Sequence, residues 1–195
     1  MLSQDILQTF RGLLDEAKTG GELEPTAMNL ATVDGNGRVH SRIVLLKAVD
    51  EHGLQFFTNY ESDKAAQIAG HDQVALCFHW KTLREGIQVR FEGRARKTSS
   101  EVSDAYFATR PRGSQIGAWA SKQSQELPDR QTFEDRVAHF EKEFEGRDVP
   151  RPAHWGGYLV SPDRIEFWYG ATFRLHERIV HTGHGTSWST RLLYP

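Results

Sequence analysis

The spacing of apolar residues changes several times along the chain, and each change predicts a different element. Ile6, Phe10, Leu13, Leu14 and Ala17 recur at 3.6-residue spacing, which predicts a helix over 3–21 with Ser3 as its N-cap. Gly20-Gly21 end it, because glycine accepts the left-handed conformation that follows a helix. Pro25 then sets an extended lead into a strand, and the period shortens. Residues 28–34, 38–47 and 54–59 form short β-type runs separated by Asp34-Gly35-Asn36-Gly37 and Asp50-Glu51-His52-Gly53, both turn signals. Two antiparallel hairpins in series are the expectation. Residues 62–69 predict a short helix capped by Ser62 and closed by Gly70; 74–80 and 87–97 predict two more strands with Gly86 between them.

Helical spacing returns at Thr98-Ser99-Ser100-Glu101, which fits a capping box starting at Thr98. The helix carries Val102, Tyr106 and Phe107 and stops at Pro111. A second helix over 129–145 puts Phe133, Val137, Phe140 and Phe144 on one face. The tail reads as strands at 158–160, 165–169, 173–181 and 188–192, with a turn at 182–186. Seven or eight short strands joined by Gly-rich turns favour an antiparallel barrel over a doubly wound parallel sheet. The expectation is one α+β domain over 1–195, a small antiparallel barrel with peripheral helices, the first of them within 1–24.

Composition narrows the function classes. A chain of 195 residues, 38% hydrophobic and 26% charged, is able to bury a core without staples and is not a disordered one. Lys and Arg total 24 against 26 Asp and Glu, a net charge of −2, which disfavours a dedicated nucleic-acid binder. The single Cys77 excludes a disulfide framework and multi-cysteine metal sites, and reads as a strand residue. No apolar stretch is long enough to cross a bilayer, and Met1-Leu2-Ser3-Gln4-Asp5 carries no secretory signal, so a cytoplasmic location is expected. There is no phosphate loop, dinucleotide fingerprint or Gly-x-Ser-x-Gly elbow. His181 and His184 flank a turn without a third ligand, which gives no metal site.

Cationic and hydroxyl groups gather instead at strand ends. Arg42 and Lys47 bound one strand run, their spacing of five placing them on opposite faces. Thr58, Ser62 and Lys64 lie together where a strand gives way to a helix, a setting suited to a phosphate dianion or, equally, to a plain capped surface helix. Arg110-Pro111-Arg112-Gly113-Ser114 places two arginines and a serine at the start of another helix, a second candidate anion pocket. On a strand, Arg174, His176 and Arg178 would share one face, and Trp168 is available to flank a flat ring.

From about Pro25 to Pro195 the chain resembles the pyridoxine (pyridoxamine) 5′-phosphate oxidases, flavoproteins of the FMN-binding split-barrel fold. The resemblance is carried by 42–47, Phe57-Thr58-Asn59 with Ser62 and Lys64, Gln88-Val89-Arg90, and the run Arg110-Pro111-Arg112-Gly113-Ser114-Gln115-Ile116-Gly117-Ala118-Trp119. Ser121-Lys122-Gln123-Ser124, Trp155-Gly156-Gly157, Glu166-Phe167-Trp168 and Arg174-Leu175-His176-Glu177-Arg178 complete it. It implies a homodimer with FMN at the subunit interface, oxidising pyridoxine or pyridoxamine 5′-phosphate to pyridoxal 5′-phosphate with oxygen as acceptor and hydrogen peroxide as product. By position, Arg42, Lys47, Thr58, Ser62, Lys64, Gln88, Gln123, Ser124, Trp168 and Arg178 become flavin contacts. Lys47, Tyr106, Arg110 and Ser114 become the substrate-phosphate pocket, and Arg174 and His176 lie against the pyridine ring as the catalytic pair. The alternatives are a split-barrel flavoprotein acting on a phenazine precursor or a deazaflavin, and a non-catalytic protein that binds FMN or pyridoxal phosphate.

Three departures from the family pattern are visible. Asp63 stands where the family usually has an arginine near the FMN phosphate, and the 80–88 loop is two residues longer than usual. Family members often carry an N-terminal Arg- and Tyr-bearing segment that closes over the substrate; nothing before Ser3 matches it, so this lid is expected to be missing or replaced by another loop.

Overall fold

The computed structural model describes residues 1–195. Helix α1 (Gln4–Thr19) forms as its periodicity predicts: the Ser3 hydroxyl accepts from the Ile6 N–H, and Ile6, Leu7, Phe10, Leu13, Leu14 and Ala17 are buried. Its apolar face packs on a curled sheet, where the Phe10 ring meets Phe78 at 5.2 Å, Trp80 at 6.0 Å and Phe91 at 5.0 Å. Burying each such side chain contributes about 1.5–3 kcal/mol.

The sheet is antiparallel and has nine strands: β1 (Ala27–Val33), β2 (Val39–Leu45), β3 (Ala48–Asp50), β4 (Gly53–Asn59), β5 (Gln73–Trp80), β6 (Ile87–Lys97), β7 (Trp155–Tyr169), β8 (Glu177–His184) and β9 (Ser187–Leu193). Its order is β2-β1-β5-β6-β7-β4-β3, with β8 on β7 and β9 on β8. Of the two predicted hairpins, β1/β2 is present; the second is β3/β4, built from the short β3 beyond the predicted run 38–47 and not from that run itself. Around the sheet lie α2 (Asp63–Gly70), α3 (Ser100–Ala108), α4 (Arg112–Ala120) and α5 (Arg130–Glu143). The result is an α+β fold, a split half-barrel with peripheral helices. None of the helices is long and apolar enough to cross a membrane.

Further expectations are corrected. The runs 158–160 and 165–169 are not two strands but parts of the single 15-residue β7. Its first half pairs with β4 and its second with β8, while β6 runs beside both halves. The bend falls at a register shift between Glu92 and Gly93, where a Cβ on Gly93 would lie 2.2 Å from the Ser161 carbonyl oxygen. The segment 173–181 is not one strand: Thr172–Arg174 is a 3₁₀ turn and β8 begins only at Glu177. The α3 cap is Ser99, whose hydroxyl accepts from the Val102 N–H, while Thr98 bonds to Ser103. The β8–β9 turn is tighter than 182–186, since pairing continues to His184 opposite Ser187.

A second, smaller core of Phe107, Ile116, Ala118, Phe144, Val149 and Trp155 joins α3 and α4 to the start of β7. It forms one wall of the cavity described next.

Candidate functional site

Between the ends of β2 and β4, α2, α3 and α4 lies a cavity of about 880 Å³. Arg42, Lys47, Lys64 and Arg110 line it, and no Asp or Glu does. Arg42 and Lys47 therefore do not face apart as predicted. Lys47 lies beyond the last residue of β2 and its N–H bonds to the Gln55 carbonyl, so strand alternation no longer governs it.

One end of the cavity is built at the β4–α2 junction. The Lys64 ammonium donates to Ser62 Oγ at 3.1 Å and to Gln123 Oε1 at 2.8 Å, and Thr58 Oγ1 donates to the same Gln123 oxygen at 3.2 Å. Ser62 is fully buried; instead of capping α2 with its side chain, it donates to the Asn59 carbonyl. Ser124, held at a φ of 72°, accepts from the Asp63 N–H. Arg42 donates to Thr32 Oγ1, to Gln67 Oε1 and to the Leu30 carbonyl. Burial lowers the pKa of Lys64, the nearby Arg42 lowers it further, and Asp63 opposes both. Burial likewise lowers Arg42, again against Asp63. Two cations crowded together, bonded only to neutral groups, fit a phosphate dianion. Asp63 itself is exposed, and its charge reaches both.

The other end is aromatic and cationic. Tyr106 stacks on Phe57 at 4.1 Å, and Phe57 on Trp155 at 5.4 Å. The Arg110 guanidinium lies 4.6 Å from the Trp155 ring centroid, an arrangement of the cation–π type. Its Nη1 is buried without any hydrogen-bond partner, and burial lowers its pKa, with Tyr106 opposing. Ser114 lines the same end, in the first turn of α4. Trp155 and Phe57, which support Tyr106 and Arg110, were legible only as motif residues; their part depends on stacking that spacing does not reveal.

Gln88, Trp168, Arg174, His176 and Arg178 do not line this cavity. Gln88, Trp168 and Arg178 form a row across β6, β7 and β8. Gln88 stands in regular pairing with His79 and Trp168, at the end of the loop over 81–86. Arg174 sits in the 3₁₀ turn with a φ of 62°, so it shares no strand face with His176 and Arg178. The His176 ring centroid is 4.5 Å from that of Trp168; its Nδ1 accepts from the Ala171 N–H, which leaves the proton of the neutral ring on Nε2. Cys77 is half-buried, and burial raises its pKa. His181 and His184 bond to Thr190 and Ser189.

The chain is similar to known proteins over its whole length. The family pattern described as pyridoxamine 5′-phosphate oxidase matches residues 14–143, and that described as the pyridoxine 5′-phosphate oxidase C-terminal dimerisation region matches 155–195. The chain is 52% identical to the pyridoxine/pyridoxamine 5′-phosphate oxidase of Xanthomonas campestris, covering all of this chain and 98% of the relative. It is 47% identical to that of Myxococcus xanthus, covering all of this chain and 94% of the relative. Among solved structures it is similar to PhzG from Burkholderia lata in complex with tetrahydrophenazine-1-carboxylic acid, with a TM-score of 0.90 and 28% identity over all of this chain and 94% of that one. A pyridoxamine 5′-phosphate oxidase-related, FMN binding protein from Nostoc punctiforme shares the fold, with a TM-score of 0.77 at 18% identity and full coverage of both chains.

Proposed function

The chain belongs to the pyridoxamine 5′-phosphate oxidase family, and we propose that it is an FMN-dependent oxidase of pyridoxamine and pyridoxine 5′-phosphates that works as a homodimer. The observation that carries this reading is the cavity lined by four cations and no carboxylate, with the Arg110 Nη1 buried and unpartnered. A buried guanidinium nitrogen without an acceptor is costly. A phosphorylated ligand supplies the acceptor.

Arg42, Lys64, Thr58, Gln123 and Ser124 would hold the phosphate end of FMN, while Ser62, buried with its hydroxyl taken by Asn59 and Lys64, would position the Lys64 ammonium and make no phosphate contact through its side chain. Lys47, a flavin contact as well by the family resemblance, would join Tyr106, Arg110 and Ser114 in gripping the substrate phosphate. Gln88, Trp168 and Arg178 would meet the flavin ring, and Arg174 and His176 would orient the substrate pyridine. These last five stand apart from the cavity of their own chain, which supports a site completed by the second copy, with FMN at the interface. The match to a C-terminal dimerisation region over 155–195 supports the same assembly.

Bound FMN would supply the two-electron acceptor, so the protein's part is to bind, orient and exclude water. The phosphate grip of Arg110, Lys47 and Ser114 fixes one end of the substrate, and Arg174 and His176 fix the ring. Because Nδ1 of His176 is occupied, it is Nε2–H that is free to donate to a polar ring substituent. Net, pyridoxamine 5′-phosphate, oxygen and water give pyridoxal 5′-phosphate, ammonia and hydrogen peroxide.

The likeness to PhzG favours a second reading, in which the substrate is a phenazine precursor. Such a ligand, with a carboxylate but no phosphate, would bring a single negative charge to a cavity lined by four cations. The test is the visible spectrum of the purified protein with pyridoxamine 5′-phosphate under anaerobic conditions, followed by peroxide release in air. Bleaching of a flavin band, then one peroxide per turnover, is expected. A flavin that pyridoxamine 5′-phosphate fails to reduce, but that a dihydrophenazine precursor reduces, would overturn the assignment.

A further inference from the structure

Glu166 is 1% exposed although it sits on the sheet face opposite the core, between the buried Ile165 and Phe167. Three guanidiniums cover it. Oε1 accepts from Arg178 Nε at 2.8 Å and lies 2.8 Å from Arg178 Nη2; Oε2 is bonded by Arg90 and, at 3.3 Å, by Arg164. Arg164 also reaches Glu92, and the third Arg178 nitrogen, Nη1, donates to the Tyr194 carbonyl at 3.2 Å. Every nitrogen of the Arg178 guanidinium is thus held by protein. Burial raises the pKa of Glu166, but hydrogen bonds from Arg178 and Arg90 outweigh it and the net shift is downward. The carboxylate stays ionised.

We propose that Glu166 is a positioning residue for the flavin site: it holds Arg178 in the row Gln88–Trp168–Arg178, two residues along β7 from Trp168, so that this side chain meets the cofactor in one orientation. The inference rests on the FMN reading above. Ion pairs buried in this way contribute little net stability compared with apolar side chains of the same size, whereas they do fix a planar guanidinium in place. Without the Glu166 charge, Arg90, Arg164 and Arg178 would repel one another, and Arg178 would keep only neutral acceptors such as the Tyr194 carbonyl.

The test measures FMN dissociation constants of the full-length protein by flavin fluorescence, alongside the melting temperature of the flavin-free form. Glu166→Gln is expected to raise the constant about tenfold or more, the loss of charge-assisted hydrogen bonds acting through Arg178. Adding Glu166→Gln to Arg178→Ala should then change little, within about twofold, because the two act as one unit. Arg164→Ala, which leaves the Arg178 contacts intact, should stay within about threefold of wild type. Glu166→Asp keeps the charge one methylene short; it should fold where Glu166→Gln does not, and bind FMN with intermediate affinity. Wild-type affinity in Glu166→Gln or Glu166→Asp, or additive effects in the double variant, would overturn the proposal. A wild-type protein that takes up no FMN would instead overturn the flavin reading on which it rests.

Discussion

Burying a guanidinium costs free energy unless its N–H groups find acceptors, and Arg110 has Nη1 buried without one while its face rests on Trp155. Replacing Arg110 with Ala removes a charge-assisted contact worth about 1.5–3 kcal/mol, so KM for pyridoxamine 5′-phosphate should rise about ten- to a hundredfold or more. Flavin content should not change if, as proposed, Lys64 and Arg42 grip FMN at the other end of the cavity; steady-state kinetics with flavin quantitation checks both. Lys64 gives a pH dependence. Its pKa in the fold is lowered by burial and by Arg42. Forcing the side chain to stay charged therefore costs stability below that lowered pKa, and the cost fades as pH rises through it. Phosphate binding has the opposite sign, because it needs the charge. FMN affinity should fall as pH rises into the alkaline range below the ordinary lysine value of about 10.4, and Lys64→Arg should flatten the profile. Titrations of FMN at a series of pH values read this out.

The turn 170–176 shows how an element places chemistry that a strand would not. Phe173 and Arg174 both have positive φ, 55° and 62°, a conformation costing an ordinary residue about 1–2 kcal/mol, and the Phe173 side chain is 92% exposed. The turn is held at its base by Gly170, whose N–H donates to the Gly86 carbonyl and whose missing Cβ leaves room for the Glu85 carbonyl oxygen, 2.0 Å from where it would lie. Gly170→Ala should therefore push the 81–86 loop and the turn apart. The expected cost is about 2–4 kcal/mol in chemical denaturation, with FMN affinity and turnover both reduced because Trp168, Arg174 and His176 flank the displaced backbone.

In the molecule as a whole, the cavity and the Gln88, Trp168, Arg174, His176 and Arg178 group occupy separate places on one chain. Exposed apolar side chains accompany both: Val39 and Ile43 on β2, and Phe173, Leu175, Leu192 and Tyr194 toward the C-terminus. A second copy that covers them would bring the two groups together. Analytical ultracentrifugation should find a dimer carrying two FMN, and dilution that dissociates it should release flavin in step. A monomer with full flavin occupancy would contradict this assembly.

Most elements and the cationic residues of the cavity were legible from local pattern alone. Helix α1, the β1/β2 hairpin and β6 depend on periodicity and turn chemistry, which act over a few residues and survive any tertiary context that buries the same face. Arg42, Lys64, Arg110 and Ser114 stood out because cations beside hydroxyls and helix starts mark anion sites. What local pattern could not supply is whatever depends on residues far apart in the chain. Continuity of β7 across Pro162 depends on its pairing with β6, which takes up the extra residue Asp163 at the register shift opposite Glu92 and Gly93 and stays beside both halves. Lys47 joins Arg42 because the chain leaves the β2 alternation after Leu45. Arg174 departs from its predicted strand because the turn is anchored to the 81–86 loop. Glu166 reads in sequence as one polar residue in an aromatic run; only the pairing of β6, β7 and β8 surrounds it with three arginines. Local periodicity reports which face a residue takes, whereas partners come from strand register, which the whole fold decides.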